Sequence, residues 1–313
     1  MAVRSGLASQ WMMAIETTKN TRATPTVALP FVQENMTGGP EQKKSKALRA
    51  GRRMPHKFSA GVKLWGGQFN MELQSESIGK LLRLMFGTVN TTGAGPFTHT
   101  YTIGDLPSGT FQKGIPQADS DTVDPYDYLG GMCRSWSLEV NPANTYVNLM
   151  LDLAFYDELL NQTLATPTYA AGTSLLFTHG SLTVAGSALC FDTLTLNGDN
   201  GLRVAHKVCA ADAGRPTITE QNERVYGGTF TADYEGLTQY QRFVNGTEGA
   251  LVLAFSAGAS ASLTLTGNVR YTGTTPVVTG PEVVKQPAPF EFMHATADAS
   301  ALAPVLINTD ATA

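Results

Sequence analysis

Hydrophobic and polar residues alternate with a period of two along most of this 313-residue chain, and in two places the period lengthens to that of a helix. The first place is residues 58–88, FSAGVKLWGGQFNMELQSESIGKLLRLMFGT, where an alternating stretch runs into Ile78, Leu81, Leu82, Met85 and Phe86. That spacing, i, i+3, i+4, i+7, i+8, puts all five on one helix face. The second is residues 224–247, RVYGGTFTADYEGLTQYQRFVNGT, where Leu237, Tyr240, Phe243 and Val244 repeat the pattern over fewer turns. Ser75 or Ser77 is placed to cap the first helix, and Gly87 and Gly246 stand where a left-handed residue would end each one. Both units open on a Gly-Gly-x-Phe strand, so the chain reads as a duplication, with residues 1–165 and 166–313 as two similar domains. A length of 313 residues agrees with two cores rather than one.

The remaining pattern is β. In FTHTYTIGD (97–105), Phe97, His99, Tyr101 and Ile103 alternate with threonines, which predicts a half-buried strand. MCRSWSLEV and TYVNLMLDLAF flank Asn141-Pro142, a turn signal, and predict a hairpin with Trp136, Leu138 and Val140 inside. NQTLATPTYAAGT (161–173) has no periodicity and marks the domain boundary. Beyond it, Asn197 to Gly201 reads as a turn between two strands, and the last residues, from 287 on, read as an extended C-terminal arm broken by prolines. The expected architecture is mainly β, about a dozen strands with one short helix per half.

Charge changes the picture at one segment. The net charge is −4, yet residues 43–57 hold Lys43, Lys44, Lys46, Arg49, Arg52, Arg53 and Lys57 and no acid. Without those seven, 15 cations face 26 acids, so a basic arm is attached to an acidic body. Residues 37–57 read as a long loop, and such a loop in a compact domain usually has work outside it. The arm has no interleaved aromatics and belongs to no DNA-binding motif, so a contact with another subunit is preferred over a solvated loop or a nucleic-acid site. Asp119, Asp121, Asp124 and Asp127 form an acidic stretch that fails the calcium-loop pattern, since the sixth position is Asp124 and the twelfth Gly130. A solvated or lumen-facing loop is the reading for these four.

Candidate chemistry is sparse. Cys133, Cys190 and Cys209 have no CxxC spacing and read as reduced thiols, and the five histidines show no metal-ligand spacing. No nucleophile elbow, phosphate-binding glycine loop or dinucleotide fingerprint is present, so no enzyme, metal or cofactor is expected. No apolar run approaches the roughly 18 residues a membrane helix needs, which points to a cytoplasmic product without membrane contact.

The order LLRLMFGTV, FTHTYTIGDLP, YDYLGGMCRSWSLEV, LTLNGDNGLRV, YGGTFTADYEGLTQYQRFVNG, over residues 12–246, resembles the tail tube proteins of long-tailed bacteriophages with non-contractile tails. The resemblance implies two β-sheets packed as a sandwich or partial barrel with a helix on the flank, present twice here. It implies a structural virion protein, made in the host cytoplasm, whose inner sheets join between subunits around a lumen that conducts double-stranded DNA. Its partners would be copies of itself, the tape measure protein inside the tube and other tail proteins at the ends. Two domains per chain would make a trimer with pseudo-sixfold shape, with a hexamer as the other arrangement. A tail terminator or the tube of a phage-derived particle is the neighbouring reading, and a nucleic-acid-binding module using residues 43–57 the more distant one.

Overall fold

The computed structural model describes residues 5–51, 53–118, 120, 122–278, 280–295 and 300–313. In chain order the strands of the first half are β1 (Gln10–Ile15), β2 (Val27–Ala28), β3 (Gln33–Glu34), β4 (Thr37–Lys44), β5 (Phe58–Glu72), β6 (Gly87–Thr92), β7 (Phe97–Ile103), β8 (Gly109–Pro116), β9 (Val123–Val140), β10 (Asn148–Phe155) and β11 (Asp157–Leu160), with helix α1 (Gly79–Phe86) after β5. The second half adds β12 (Gly180–Val184), β13 (Ser187–Leu189), β14 (Thr193–Asp199), β15 (Leu202–His206), β16 (Pro216–Glu220), β17 (Val225–Asp233), helix α2 (Thr238–Val244), β18 (Gly249–Ser256), β19 (Ser262–Tyr271), β20 (Lys285–Met293) and β21 (Leu302–Asn308). The fold is mainly antiparallel β.

One sheet spans both halves. Its order is β5, β10, β9, β14, β17, β20, all antiparallel, with β3 and β4 lying along the outer edge of β5. The central join is β9 to β14, where Val140 pairs with Leu194 and Ser135 with Asp199. Two long strands bend out of this sheet into the opposing layers. β9 pairs with β8 and β11 through its first half and with β10 and β14 through its second. β19 pairs with β20 near Tyr271 and with β21 from Ser262 to Gly267. Such strands turn two stacked sheets into a partial barrel.

The core follows from the alternation. Trp136, Leu138 and Val140 of β9, Leu149, Leu151 and Leu153 of β10, and Leu194 and Leu196 of β14 all point to one side and are buried. The main hydrophobic cluster runs from Trp11 to Leu306 across both halves, and a small second cluster gathers Leu106, Met132, Ala154 and Ile218. Residues 161–173 contain no regular element, as the sequence predicts.

α1 is more deeply set than a one-face stripe requires. Ile78, Leu81, Leu82, Met85 and Phe86 are buried, and so is Leu84 on the opposite side. Phe86 meets Trp136 at 5.4 Å and Tyr226 at 6.1 Å between ring centroids, both edge-to-face. Neither expected serine cap forms. Ile78 is the N-cap and has no capping side chain; Ser75 is buried and accepts from the backbone N–H of Thr173, while the N–H of Ser77 goes to Asp310. Burial, not capping, holds this helix. α2 differs again: Leu237 is 57 % exposed, Tyr240 is half-buried, and Phe243 alone of the three packs on the core. Its end is as expected, for Gly246 adopts φ 60° and the N–H groups of Gly246 and Thr247 return to the carbonyls of Phe243 and Arg242.

Three other expectations change. Asn197, Gly198 and Asp199 do not turn but stay inside β14, and the chain breaks only at Asn200 and Gly201. Gly198 pairs with Trp136, and a Cβ there would sit 2.2 Å from the indole, so this glycine makes room for a ring rather than a bend. The segment expected as a C-terminal arm forms β20 and then β21, which is inserted between β7 and β19 with alternate residues buried. The loop expected over residues 37–57 is half strand: β4 pairs with β5 from Thr37–Gly66 to Lys44–Phe58.

Candidate functional site

Strand alternation leaves the six-stranded sheet with one face turned away from the core, and register collects its side chains into rows. Gln68, Asp152, Ser135, Asp199 and Val225 form one row; Asn70, Met150, Ser137, Asn197, Gly227 and Glu291 the next; Glu72, Asn148, Glu139, Thr195, Thr229 and Pro289 the third. A groove of about 660 Å³ runs over this face. Its walls mix short polar side chains and the carboxylates of Asp152, Asp199 and Glu291 with the apolar Met150, Val225 and Pro289.

The electrostatics are one-sided. Six acids stand on the face, Glu72, Glu139, Asp152, Asp199, Asp233 and Glu291, against Arg134, Lys285 and Arg270, the last paired in register with Glu291 from β19. Arg134 Nη2 donates to Asp152 at 2.6 Å, and Lys285 Nζ reaches Asp233 at 2.5 Å and Asp192 at 2.7 Å, which holds its ammonium above the usual lysine pKa. Glu72, Glu139, Asp199 and Glu291 have no ion-pair partner among the described residues. On such a face acids outnumber cations, Arg134 and Lys285 are held by carboxylates, and the net field disfavours phosphate.

The acids singled out from sequence lie elsewhere. Asp119 and Asp121 fall outside the described residues. Asp124 is in β9 and accepts from Gln117 at 3.1 Å through both carboxylate oxygens. Asp127 is no loop residue: it is fully buried in β9, bound by Arg22 Nε at 2.5 Å and Gln112 Nε2 at 2.7 Å. Proximity in sequence does not put these residues on the acidic sheet face, because β9 belongs to a different layer before Gly131. The acids that do share a face alternate with core residues, Glu139 between Leu138 and Val140 and Asp152 between Leu151 and Leu153, and that alternation is the signal that could have found them.

The basic segment is the second feature. β5 pairs with β10 only from Trp65 onward, so residues 58–64 and β4 form a two-stranded ribbon that leaves the sheet. Lys43, Lys44, Lys46, Arg49, Arg53 and Lys57 are exposed on it or on its connection; Arg52 lies outside the described residues. Lys43 pairs with Glu41, and Lys44 Nζ sits 5.7 Å from the Phe58 ring centre. The ribbon is also apolar on one side: Phe58, Val62 and Leu64 are 57 %, 40 % and 53 % exposed, and Leu48 and Met54 stand nearly free. Apolar groups gathered on a projecting ribbon call for a covering surface.

Among the described residues no three His, Cys, Asp or Glu side chains gather as a metal site, and no helix is long and apolar enough to cross a membrane. His99 is buried as a structural residue, with Nε2 facing the Asn308 side chain and the Asp310 carbonyl and Nδ1 facing Thr91.

A long acidic sheet face with a projecting ribbon fits a wall-forming protein, and comparison decides the family. A family model described as phage tail tube protein matches residues 6–293. The chain belongs to the phage tail tube protein family. It is therefore a structural tail protein, and the resemblance read from residues 12–246 extends over nearly the whole chain. No curated protein matches it.

Proposed function

We propose that this tail tube protein is the major tube subunit of a long non-contractile tail, self-assembling into stacked rings through which phage DNA passes. The observation that carries the proposal is the continuous acidic face spanning both halves. Turned inward, its unpaired carboxylates would line the lumen and repel the phosphate backbone, so that DNA slides without sticking. The sheet's edges support ring closure. Among the described residues β4 pairs with β5 alone, and residues 285–289 of β20 pair with β17 and no second strand. Joined edge to edge, copies would close a barrel and remove both open edges.

The two halves, 1–165 and 166–313, would act as two related tube units. Strand, helix and hairpin follow in the same order in each, β5–α1–β6–β7 and β17–α2–β18–β19. Three chains then supply six units, a trimer with pseudo-sixfold shape. In this reading Lys43, Lys44, Lys46, Arg49, Arg52, Arg53 and Lys57 belong to an arm that joins neighbouring rings. The tape measure protein would occupy the lumen during assembly, and other tail proteins the tube ends, in a virion tail built in the host cytoplasm.

Averaged end-on and side views of the concentrated protein by electron microscopy test this. Tubes with a regular axial repeat and threefold ring density are expected. Deleting residues 40–56 leaves the fold intact by circular dichroism and abolishes tubes. Normal tubes from the deletion, or no assembly of the intact chain under any condition, would refute the reading.

A further inference from the structure

The ribbon and one cleft of this protein lie at opposite ends of the same sheet. Register fixes the ends. The ribbon leaves beside Phe155, Asp199 and Val225, whereas Glu72, Val140, Thr193, Asp233 and Lys285 mark the far end. The hairpin of β15 and β16 flanks the ribbon's base, where the Gly214 carbonyl accepts from the Lys63 N–H at 2.8 Å, so only about residues 43–60 stand clear of the body. At the far end a cleft of about 270 Å³ opens between α2, β13, β17 and β20. Its floor is apolar, Leu189, Phe230 and Ala288, and its rim carries Asp233 and Glu235.

One buried group in this cleft lacks a partner. Gln286 lines it, is 4 % exposed, and its Nε2 makes no hydrogen bond among the described residues. Gln239, its neighbour in the lining, is already engaged by the Tyr271 hydroxyl at 2.8 Å. A buried amide donor without an acceptor is uncommon and marks a place for an incoming carbonyl. The cleft thus suits a segment that is cationic at its edges, apolar at its tip and able to offer a backbone carbonyl.

We propose that this cleft receives the ribbon end of a second copy in the next ring, with Leu48 or Met54 on the floor, Arg49 or Arg53 against Glu235, and a ribbon carbonyl on Gln286. This rests on the stacked-ring reading and names the receptor for the arm. The occupant is a second copy because the two surfaces complement each other in charge and sit at opposite ends of one chain. A head-to-tail contact of this type repeats without limit along an axis, as stacking needs.

Cys190 lies exposed in the cleft and serves as the reporter. Leu48→Cys and, separately, Met54→Cys are introduced with Cys209→Ser, assembled tubes are treated with diamide, and dimers are read on non-reducing gels. Dimers that vanish on adding Cys190→Ser are expected. Tubes that form but give no Cys190-dependent dimer from either position overturn the cleft and leave stacking standing. Absence of tubes from the intact chain overturns the stacking reading and the cleft with it. In parallel, Glu235→Lys is expected to shorten tubes at least tenfold and Arg49→Glu or Arg53→Glu in the same chain to restore them; unchanged length in Glu235→Lys refutes the proposal.

Discussion

Replacing Arg22 with alanine strands the Asp127 carboxylate inside the protein. Asp127 is fully buried in β9, and its charge is met by Arg22 Nε at 2.5 Å and by one neutral donor, Gln112 Nε2 at 2.7 Å. Without the guanidinium, Gln112 alone faces the ion, and removing one partner of a buried pair costs about 3–5 kcal/mol. Asp127→Asn removes the charge instead. Arg22 keeps 24 % of its side-chain surface exposed and can turn to water, so the loss is that of a charge-assisted hydrogen bond, about 1.5–3 kcal/mol. The double variant Arg22→Ala with Asp127→Asn should therefore be more stable than Arg22→Ala alone, because the second change erases the stranded charge. Chemical denaturation followed by tryptophan fluorescence measures this, since Trp11 sits 6.3 Å from Tyr128, the next residue along β9. A value for Arg22→Ala within about 1 kcal/mol of the parent, or a double variant no better than the single, would refute the buried-pair argument. A solvated, lumen-facing Asp127 would give that refuting result.

The other expectations concern the core, the face and alkali. Phe86→Ala removes the ring between Trp136 and Tyr226 and should cost about 3–5 kcal/mol, measured by the same denaturation; a cost under 1 kcal/mol would mean α1 is not anchored there. Changing Glu72, Glu139, Asp199 and Glu291 together to Lys should leave the melting curve near the parent's but make assembled tubes retain DNA at low salt, with retention lost as salt rises. Equal retention by parent and variant tubes would remove these acids from the lumen. Burial pushes Tyr226 and Tyr271 up to about 12. A raised folded pKa favours the protonated phenol, so the stability is whole below about pH 10 and declines as pH climbs from there through 12, by on the order of 1–3 kcal/mol per tyrosine. A thermal midpoint unchanged between pH 9 and 11.5 would contradict it.

Some of this protein is local and therefore legible in the sequence. The stripe from Ile78 to Phe86, the Asn141-Pro142 hairpin and the left-handed glycine after α2 each depend on contacts within a few residues, where propensity and spacing act directly. The alternation of Leu138, Glu139 and Val140 likewise fixes which side of β9 is wet. Tertiary structure decided the rest, because strand pairing at long separation has no local signature. β9 meets β14, and β21 meets both β7 and β19, only when the whole sheet closes. Those pairings turned Gly198 from an apparent turn residue into a seat for Trp136, took Asp127 into a buried ion pair, and left Leu237 of α2 in solvent. They also brought six acids from five strands and the end of β17 onto one face, although no two are neighbours in sequence. A chain fixes the period of each strand through its side chains; which strands share a face is settled by the burial of one common core.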